Sequence, residues 1–342
     1  MRHLRFTLLV TLVFVGVACG RADVTIYCAL DQVHSEPIIR QFEQETGLTV
    51  KASFDLEAVK TVGHVSKIVN EADNPKCDVF WNNELVHTVR LKKMGLLEPY
   101  ESPSAADIPA KWKDAEGYWT GFAARARVLI LNTDLAAKIV PDEAAWPKYT
   151  TDLLDPMWKG QVGMAKPLAG TTLTHMSVLW SMMGPDYVKD FWRRLKANDG
   201  IIATGNANLM KQVSDGRFTF GYTDTDDYRK AVLEGRPVRQ IFPDQVPSKI
   251  FSGCLVIPNS IALIKNGPNP DNGRKLIDYI LSKKVEEALA NGPSAQMPVR
   301  KSVPRPDYVK SADDLVTMDV DWEKVAESVE PANAWLLEFL SK

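Results

Sequence analysis

The chain has 342 residues, 45% of them hydrophobic, and includes 9 Trp, 9 Tyr and 12 Phe. That supply of apolar side chains builds a large core, better divided between two lobes than held in one, and excludes a disordered tail or adaptor linker. Lys and Arg total 41 against 43 Asp and Glu, a formal charge of −2, and no basic run offers the counterion release on which nucleic-acid binding depends, so nucleic acid is excluded as a partner.

Residues 1–22 have the form of an export signal: Arg2, His3 and Arg5 precede the apolar run "FTLLVTLVFVGVA", and small residues follow in "ACGRAD". Cleavage after Ala22 puts Gly20 and Ala22 at the two small positions. Cys19 offers the alternative of a lipid-modified N-terminus, although Gly16 stands where such sites usually carry Leu. The expected location is outside the cytoplasm. No other apolar run approaches the roughly 20 residues of a membrane helix, so membrane contact is expected only through such an anchor or a membrane partner. Cys28, Cys77 and Cys254 have no C-x-x-C spacing and read as small buried hydrophobes with room for one disulfide, not as a zinc site.

"DVTIYCAL" is a β-branched and aromatic strand that feeds the helix "SEPIIRQFEQETG", with Ser35 as cap, Pro37 in the first turn and Gly47 as terminator. "LTVKASF" is the next strand, a helix spans Val59 to Glu71, "CDVFWNN" is a strand, and Glu84 to Met94 is a helix closed by Gly95. Strands alternating with helices predict a mainly parallel α/β sheet. "GFAARARVLILNT" and "SGCLVIPNSIALIKNG" are long strand-like segments that can cross between lobes. Between them lie "GQVGMAKP", helices at Thr174–Met183 and Tyr187–Ala197, "GIIAT", a helix near Leu209 and "FTFGYTD", an inserted lobe of its own. Helices at Asp271–Leu281, Val285–Ala290 and Trp322–Leu340 complete the chain. The expected division is residues 23–122 plus 260–310 for one lobe, 123–259 for the inserted lobe and 311–342 for a C-terminal helical segment.

Some residues carry chemistry before any comparison is made. "GYTDTDDY", residues 221–228, gathers three carboxylates, which serve either as helix caps or as a cation site. In "KPLAGTTLTH", Gly170, Thr171 and Thr172 open a helix and can present amides and hydroxyls to an anion; an ordinary capped helix is the alternative. Arg125 and Arg127 alternate onto one face of the crossover strand; one of them, Arg127 rather than Arg125, can clamp a phosphate or carboxylate, and a structural ion pair across the hinge is an equal alternative. Asn83 ends a strand where α/β sheets place ligands, whereas Trp81 beside it fits a core equally well. Glu84-x-x-His87 matches half of a di-iron motif, but a single copy carries no weight, and His34, His64 and His175 share no ligand spacing. Asp224-x-Asp226 after a strand has the outline of an aspartyl-phosphate phosphatase, yet it stands at mid-chain and continues with Asp227 and Tyr228.

Taken together, "VTIYCALDQ", "DVFWNNE", "KKMGLLEPY", "YWTGFAARARVLILNT", "PMWKGQVGMAKPLAGTT", "YTDTDD" and "PSAQMPVR" resemble the periplasmic solute-binding proteins of ABC importers, ferric-ion-binding type, over residues 24–302. The resemblance implies the two-lobed type 2 periplasmic binding protein fold, each lobe a mainly parallel sheet flanked by helices and the two joined by crossover strands. It implies a monomer that is not an enzyme, needs no cofactor, closes on a small ligand and delivers it to a permease driven by a cytoplasmic ATPase. A sensor or adhesion module on the same fold is the rival role. Ferric-ion binders of this type use two adjacent tyrosines after the strand of the inserted lobe; here those positions fall on Asp226 and Asp227. The position that can carry His after the first strand is Asp31, and the acidic position after the third falls near Asn83 or Glu84. The implied ligand set for a metal is therefore Asp31, Glu84, Asp226 and Asp227, with the accompanying anion at Gly170–Thr172, and "PSAQMPVR" is implied to border the cleft. Carboxylates suit hard cations, ferric iron first, but without phenolate; 2-aminoethylphosphonate, then thiamine or a polyamine, are the alternatives.

Overall fold

The computed structural model describes residues 22–54, 61–246 and 253–342. The expected leader with Cys19, and the start of the helix expected at Val59, lie outside them. The strands are β1 Val24–Cys28, β2 Val50–Phe54, β3 Val79–Asn82, β4 Leu97–Glu98, β5 Thr120–Asn132, β6 Val162–Ala165, β7 Ile201–Ala203, β8 Phe220–Asp224, β9 Val238–Ile241 and β10 Val256–Ile264. The α-helices are α1 Gln32–Thr46, α2 Val62–Asn70, α3 Val86–Lys93, α4 Thr133–Ile139, α5 Gly170–Met183, α6 Pro185–Ala197, α7 Asn206–Ser214, α8 Thr225–Leu233, α9 Pro270–Ile280, α10 Lys283–Asn291 and α11 Trp322–Leu340.

Two sheets share one strand. In lobe 1, β2, β1 and β3 are parallel and β10 runs antiparallel to β3. In lobe 2, β8, β6 and β7 are parallel. The long β5 joins them: Thr120–Ala126 pair with β10, and Arg127–Asn132 pair with β8 and β9. The chain therefore changes lobes between Ala126 and Arg127. A register shift in β10 at Pro258/Asn259 sits opposite Ala123, before this crossing, and the φ of +39° at Ala123 is unusual for a side chain with a Cβ. Because the parallel strands of both lobes end toward the same gap, the turns that follow them form its walls.

Every residue of β5 and of β10 is buried, as the near-continuous apolar runs require of strands covered on both faces. One apolar cluster under lobe 1 includes Ile26, Phe42, Phe122, Ile261 and Ile277. A second runs from Phe80, Val86 and Val89 through α11 to Leu173, Met176 and Trp192. Cys28, Cys77 and Cys254 are buried, and burial raises the thiol pKa of Cys254 to about 12. Among the described residues no helix is long and apolar enough to cross a membrane.

Two boundaries differ from expectation with consequences for the cleft. α1 begins at Gln32 with Asp31 at its N-cap, so Ser35 lies inside the helix and its hydroxyl donates to the carbonyls of Leu30 and Asp31, both at 3.1 Å. α5 begins at Gly170 rather than Thr174, which turns "GTT" from a loop into the first turn of a helix.

Candidate functional site

Between the lobes lies a cavity of about 540 Å³. Lobe 1 and β5 contribute Asp31, Asn83 and Arg125; lobe 2 contributes the residues around Gly170, Asn206 and Asp226. Three helices, α5, α7 and α8, start at this cavity, and their N-caps Ala169, Gly205 and Asp224 make no side-chain capping bond. First-turn amides and the positive ends of three helix dipoles thus face the gap.

One wall is held by a buried network. Arg127 is fully buried; its Nη1 donates to Asp224 Oδ1 at 2.8 Å, Asn206 Oδ1 at 3.2 Å and Thr171 Oγ1 at 3.3 Å, and its Nη2 donates to Thr172 Oγ1 at 3.3 Å. Asp224 Oδ2 accepts from Thr171 Oγ1 at 2.5 Å and from Asn206 Nδ2 at 3.0 Å. A guanidinium can make these bonds at once because its planar fork offers donors in several directions. It ties β5, β8, α5 and α7 together. The preference for Arg127 as the ligand clamp is therefore corrected: it does not line the cavity, and both its Nη atoms hold the wall while Nε is buried without a hydrogen-bond partner among the described residues.

Arg125, two residues earlier, is the arginine that does line the cavity. Its Nη1 pairs with Asp226 at 2.9 Å, and its Nη2 is buried without a protein partner. Burial opposes its charge, but Asp226, Asp224, Asp31 and Asp227 outweigh it and raise its pKa. Alternation places both arginines on one face; the change of lobe between them sends one into the wall and leaves the other at the gap.

Asp226 and Asp227 form the first turn of α8, where the helix dipole favours negative charge. With Asp224 they bring carboxylate oxygens within 4.8 Å of one another. Burial raises the pKa of Asp226, Arg125 lowers it, and Asp224 and Asp31 raise it further. Burial, Asp226 and Asp224 push Asp227 up to about 8, although Thr223 Oγ1 donates to it at 2.7 Å. Among the described residues the three carboxylates crowd against only two paired guanidiniums, Arg125 on Asp226 and Arg127 on Asp224.

Glu84 has a different setting. It is fully buried and absent from the cavity wall. Its carboxylate accepts from the amides of Val86 at 2.7 Å and His87 at 3.3 Å, from Asn82 Nδ2 at 3.0 Å and from Thr174 Oγ1 at 3.2 Å. It therefore caps α3 and reaches across to α5, and the expectation that it faces a ligand is corrected. His87 is buried with Nδ1 against Arg90 Nη1 at 3.2 Å, and the half di-iron motif gains no second half among the described residues. Asn83 does line the cavity, with its Oδ1 accepting from Thr61 Oγ1 at 3.1 Å. Trp81 is core, packed on Phe122.

Neither tyrosine of "GYTDTDDY" lines the cavity. Tyr222 is buried beneath it and hydrogen bonded with Thr150 at 2.9 Å, while Tyr228 faces a separate pocket of about 100 Å³. "PSAQMPVR" does not border the cleft either. Met297 pairs with Ala124 of β5 in both directions, at 2.6 and 2.7 Å, and Arg300 is anchored on Glu286 at 2.8 Å and Asp107 at 2.7 Å. Thr204–Asn208, the turn into α7, was not among the sequence candidates; a short strand followed by a polar turn and a helix, "GIIATGNANL", is the signal that points to it.

The comparisons agree with this architecture. Over 327 residues the chain is 23% identical to "Iron uptake protein A1" of Synechocystis sp., covering 91% of this chain and 85% of the relative. It is 26% identical over 296 residues to "Putative 2-aminoethylphosphonate-binding periplasmic protein" of Salmonella typhimurium, covering 84% and 82%. The crystal structure of iron-bound HitA from Pseudomonas aeruginosa superposes with a TM-score of 0.80 at 25% identity, covering 92% of this chain and 98% of HitA. Residues 38–317 match the family described as bacterial extracellular solute-binding protein, and the chain belongs to that family.

Proposed function

We propose that this protein is the extracytoplasmic capture subunit of an ABC importer, and that its cleft takes a hard cation, ferric iron first, between Asp226 and Asp227 of lobe 2 and Asp31 of lobe 1. The observation that carries this reading is the set of carboxylate oxygens of Asp224, Asp226 and Asp227 within 4.8 Å, whose mutual repulsion a cation relieves. Asp226 and Asp227 are the pair with oxygens to give; Asp224 is occupied by Arg127, Thr171 and Asn206. That occupation also argues against Asp224 as a phosphorylated nucleophile. An oxyanion accompanying the cation fits Gly170–Thr172 at the start of α5, which lines the same cavity as Arg125. The ligand is cargo: closure of the lobes buries it and the permease receives it.

One observation favours a second reading. The acidic cluster and the helix starts are walls of one cavity of about 540 Å³ that no tyrosine among the described residues lines, which suits an organic zwitterion such as 2-aminoethylphosphonate, its ammonium on the aspartates and its phosphonate on the helix ends. Thermal shift decides between them. Ferric citrate at about 100 times its dissociation constant adds roughly 2.7 kcal/mol of stability, and 2-aminoethylphosphonate adds none. The opposite pattern overturns the cation reading in favour of the zwitterion, and no shift with either overturns both.

A further inference from the structure

The last helix connects the lobes on the side of the molecule that the cleft does not use. Asp321 caps α11, accepting from the Lys324 amide at 3.2 Å. In its first half, Glu323, Glu327 and Glu330 recur at helical spacing and so share a face. That face meets α3 of lobe 1: Glu323 pairs with Lys92 at 3.0 Å, Glu327 with Lys93 at 2.6 Å and Glu330 with Arg90 at 2.5 Å. In the second half, Trp335 and Phe339 stack at 4.9 Å and receive two cations from α6 of lobe 2, with Arg193 at 6.0 Å from the Trp335 ring and Lys196 at 5.5 Å from the Phe339 ring. Beneath both halves, the buried Val325, Val329 and Leu336 belong to one apolar cluster with Val86 and Val89 of α3 and Leu173 and Met176 of α5.

Pro331 stands between the two halves. It has no N–H to close the turn onto the Glu327 carbonyl, which makes it the weakest point of an otherwise continuous helix. The fastenings also differ in kind. The ion-pair row has exposed acidic partners, with Glu323, Glu327 and Glu330 side chains 45%, 70% and 77% exposed, and exposed pairs are screened by salt. The apolar packing of Val325, Val329 and Leu336 and the Trp335–Phe339 stack are not.

We propose that α11 is an interlobe strap: an apolar seam shared by both lobes seats it, a salt-sensitive ion-pair row fastens it further to lobe 1 and an aromatic pair to lobe 2, and it flexes at Pro331, so that it sets the resting angle between the lobes. This requires the hinged fold but no particular ligand, so it fails or survives separately from the cation assignment. Loosening the row frees the lobe 1 end and lets the lobes separate further.

The test places spin labels on full-length protein carrying Cys19→Ser, Gln44→Cys on α1 and Asp186→Cys on α6, the last two sites exposed, while the native Cys28, Cys77 and Cys254 are buried. Interlobe distances are then measured in the unliganded state. Glu327→Lys with Glu330→Lys, and separately Arg90→Glu with Lys93→Glu, place like charges across the row; each shifts the mean distance longer by about 2 Å or more. Combining all four substitutions restores opposite charges and returns the parental distribution. Raising salt from about 0.05 to about 1 M lengthens the distance in the parent. Identical distributions in all variants, or failure of the fourfold exchange to restore the parental one, overturn the proposal. Pro331→Ala supplies an independent arm that tolerates a misfolded charge variant: a stiffer strap narrows the distribution, and an unchanged width overturns the flex point.

Discussion

The two lobes place a carboxylate at equivalent turns, and the turns come to opposite ends. Glu84 follows β3 and opens α3; Asp226 and Asp227 follow β8 and open α8. Glu84 accepts four protein hydrogen bonds and has no oxygen left to give. Asp226 has Arg125 and Asp227 has Thr223, but the two carboxylates stand side by side with Asp224 behind them. An acid at a strand-to-helix turn is thus a cap when the protein satisfies it and a receptor when the protein leaves charge over. Position relative to the strand does not separate these outcomes; the partner inventory does.

That contrast can be broken at several points. The largest stability loss is expected at the wall that both turns depend on: Arg127→Ala leaves Asp224 buried without its counter-charge and costs about 3–5 kcal/mol in urea unfolding. A loss under about 1 kcal/mol would mean the network is not what holds the wall. Glu84→Gln keeps the shape of the cap but removes its charge; about 1–3 kcal/mol of stability goes, and ferric citrate affinity changes less than about threefold. If affinity instead falls by two orders of magnitude, Glu84 is a ligand after all and the contrast between the turns collapses.

Asp226→Asn with Asp227→Asn reverses the pattern, weakening cation binding by about 100-fold or more by calorimetry while stability holds or rises. The smallest effect is a pH dependence. Asp227 has a folded pKa of about 8 against an unfolded value of about 4, so the folded state binds the proton more tightly. Its contribution to stability is present below pH of about 4 and is lost as pH rises through about 8. Asp227→Asn removes that slope and is more stable than the parent at pH 8. An unchanged stability profile in this variant would show that a partner outside the triad already neutralises the cluster.

Much of the fold was legible from residue pattern. α11 has the bounds expected for it, and β5 runs through the long "GFAARARVLILNT" segment as a single strand. The alternation of strands and helices in each lobe also follows local periodicity, which is a property of neighbouring residues. The candidate site was legible only in part. Gly170, Thr171, Thr172, Asp31, Asn83, Asp226 and Asp227 all line one cavity. Glu84 and Arg127 were expected beside them and lie in the surrounding scaffold instead. Thr204–Asn208 was not legible as part of the site, because the strand–turn–helix pattern of "GIIATGNANL" marks a turn without saying which gap it faces.

The sequence by itself determined the elements and the presence of an acidic turn, because helix periodicity, strand branching and the charge of "DTDD" are written in adjacent positions. Only the tertiary structure decided which of two arginines, two residues apart, faces the gap and which carboxylates keep unspent charge. Those outcomes depend on where β5 changes sheets, at Ala126–Arg127, and on donors supplied from far along the chain, Asn206 to Arg127 and Asp224, and Thr174 to Glu84. Hydrogen-bond satisfaction is a sum over neighbours in space, and a linear pattern does not contain its terms.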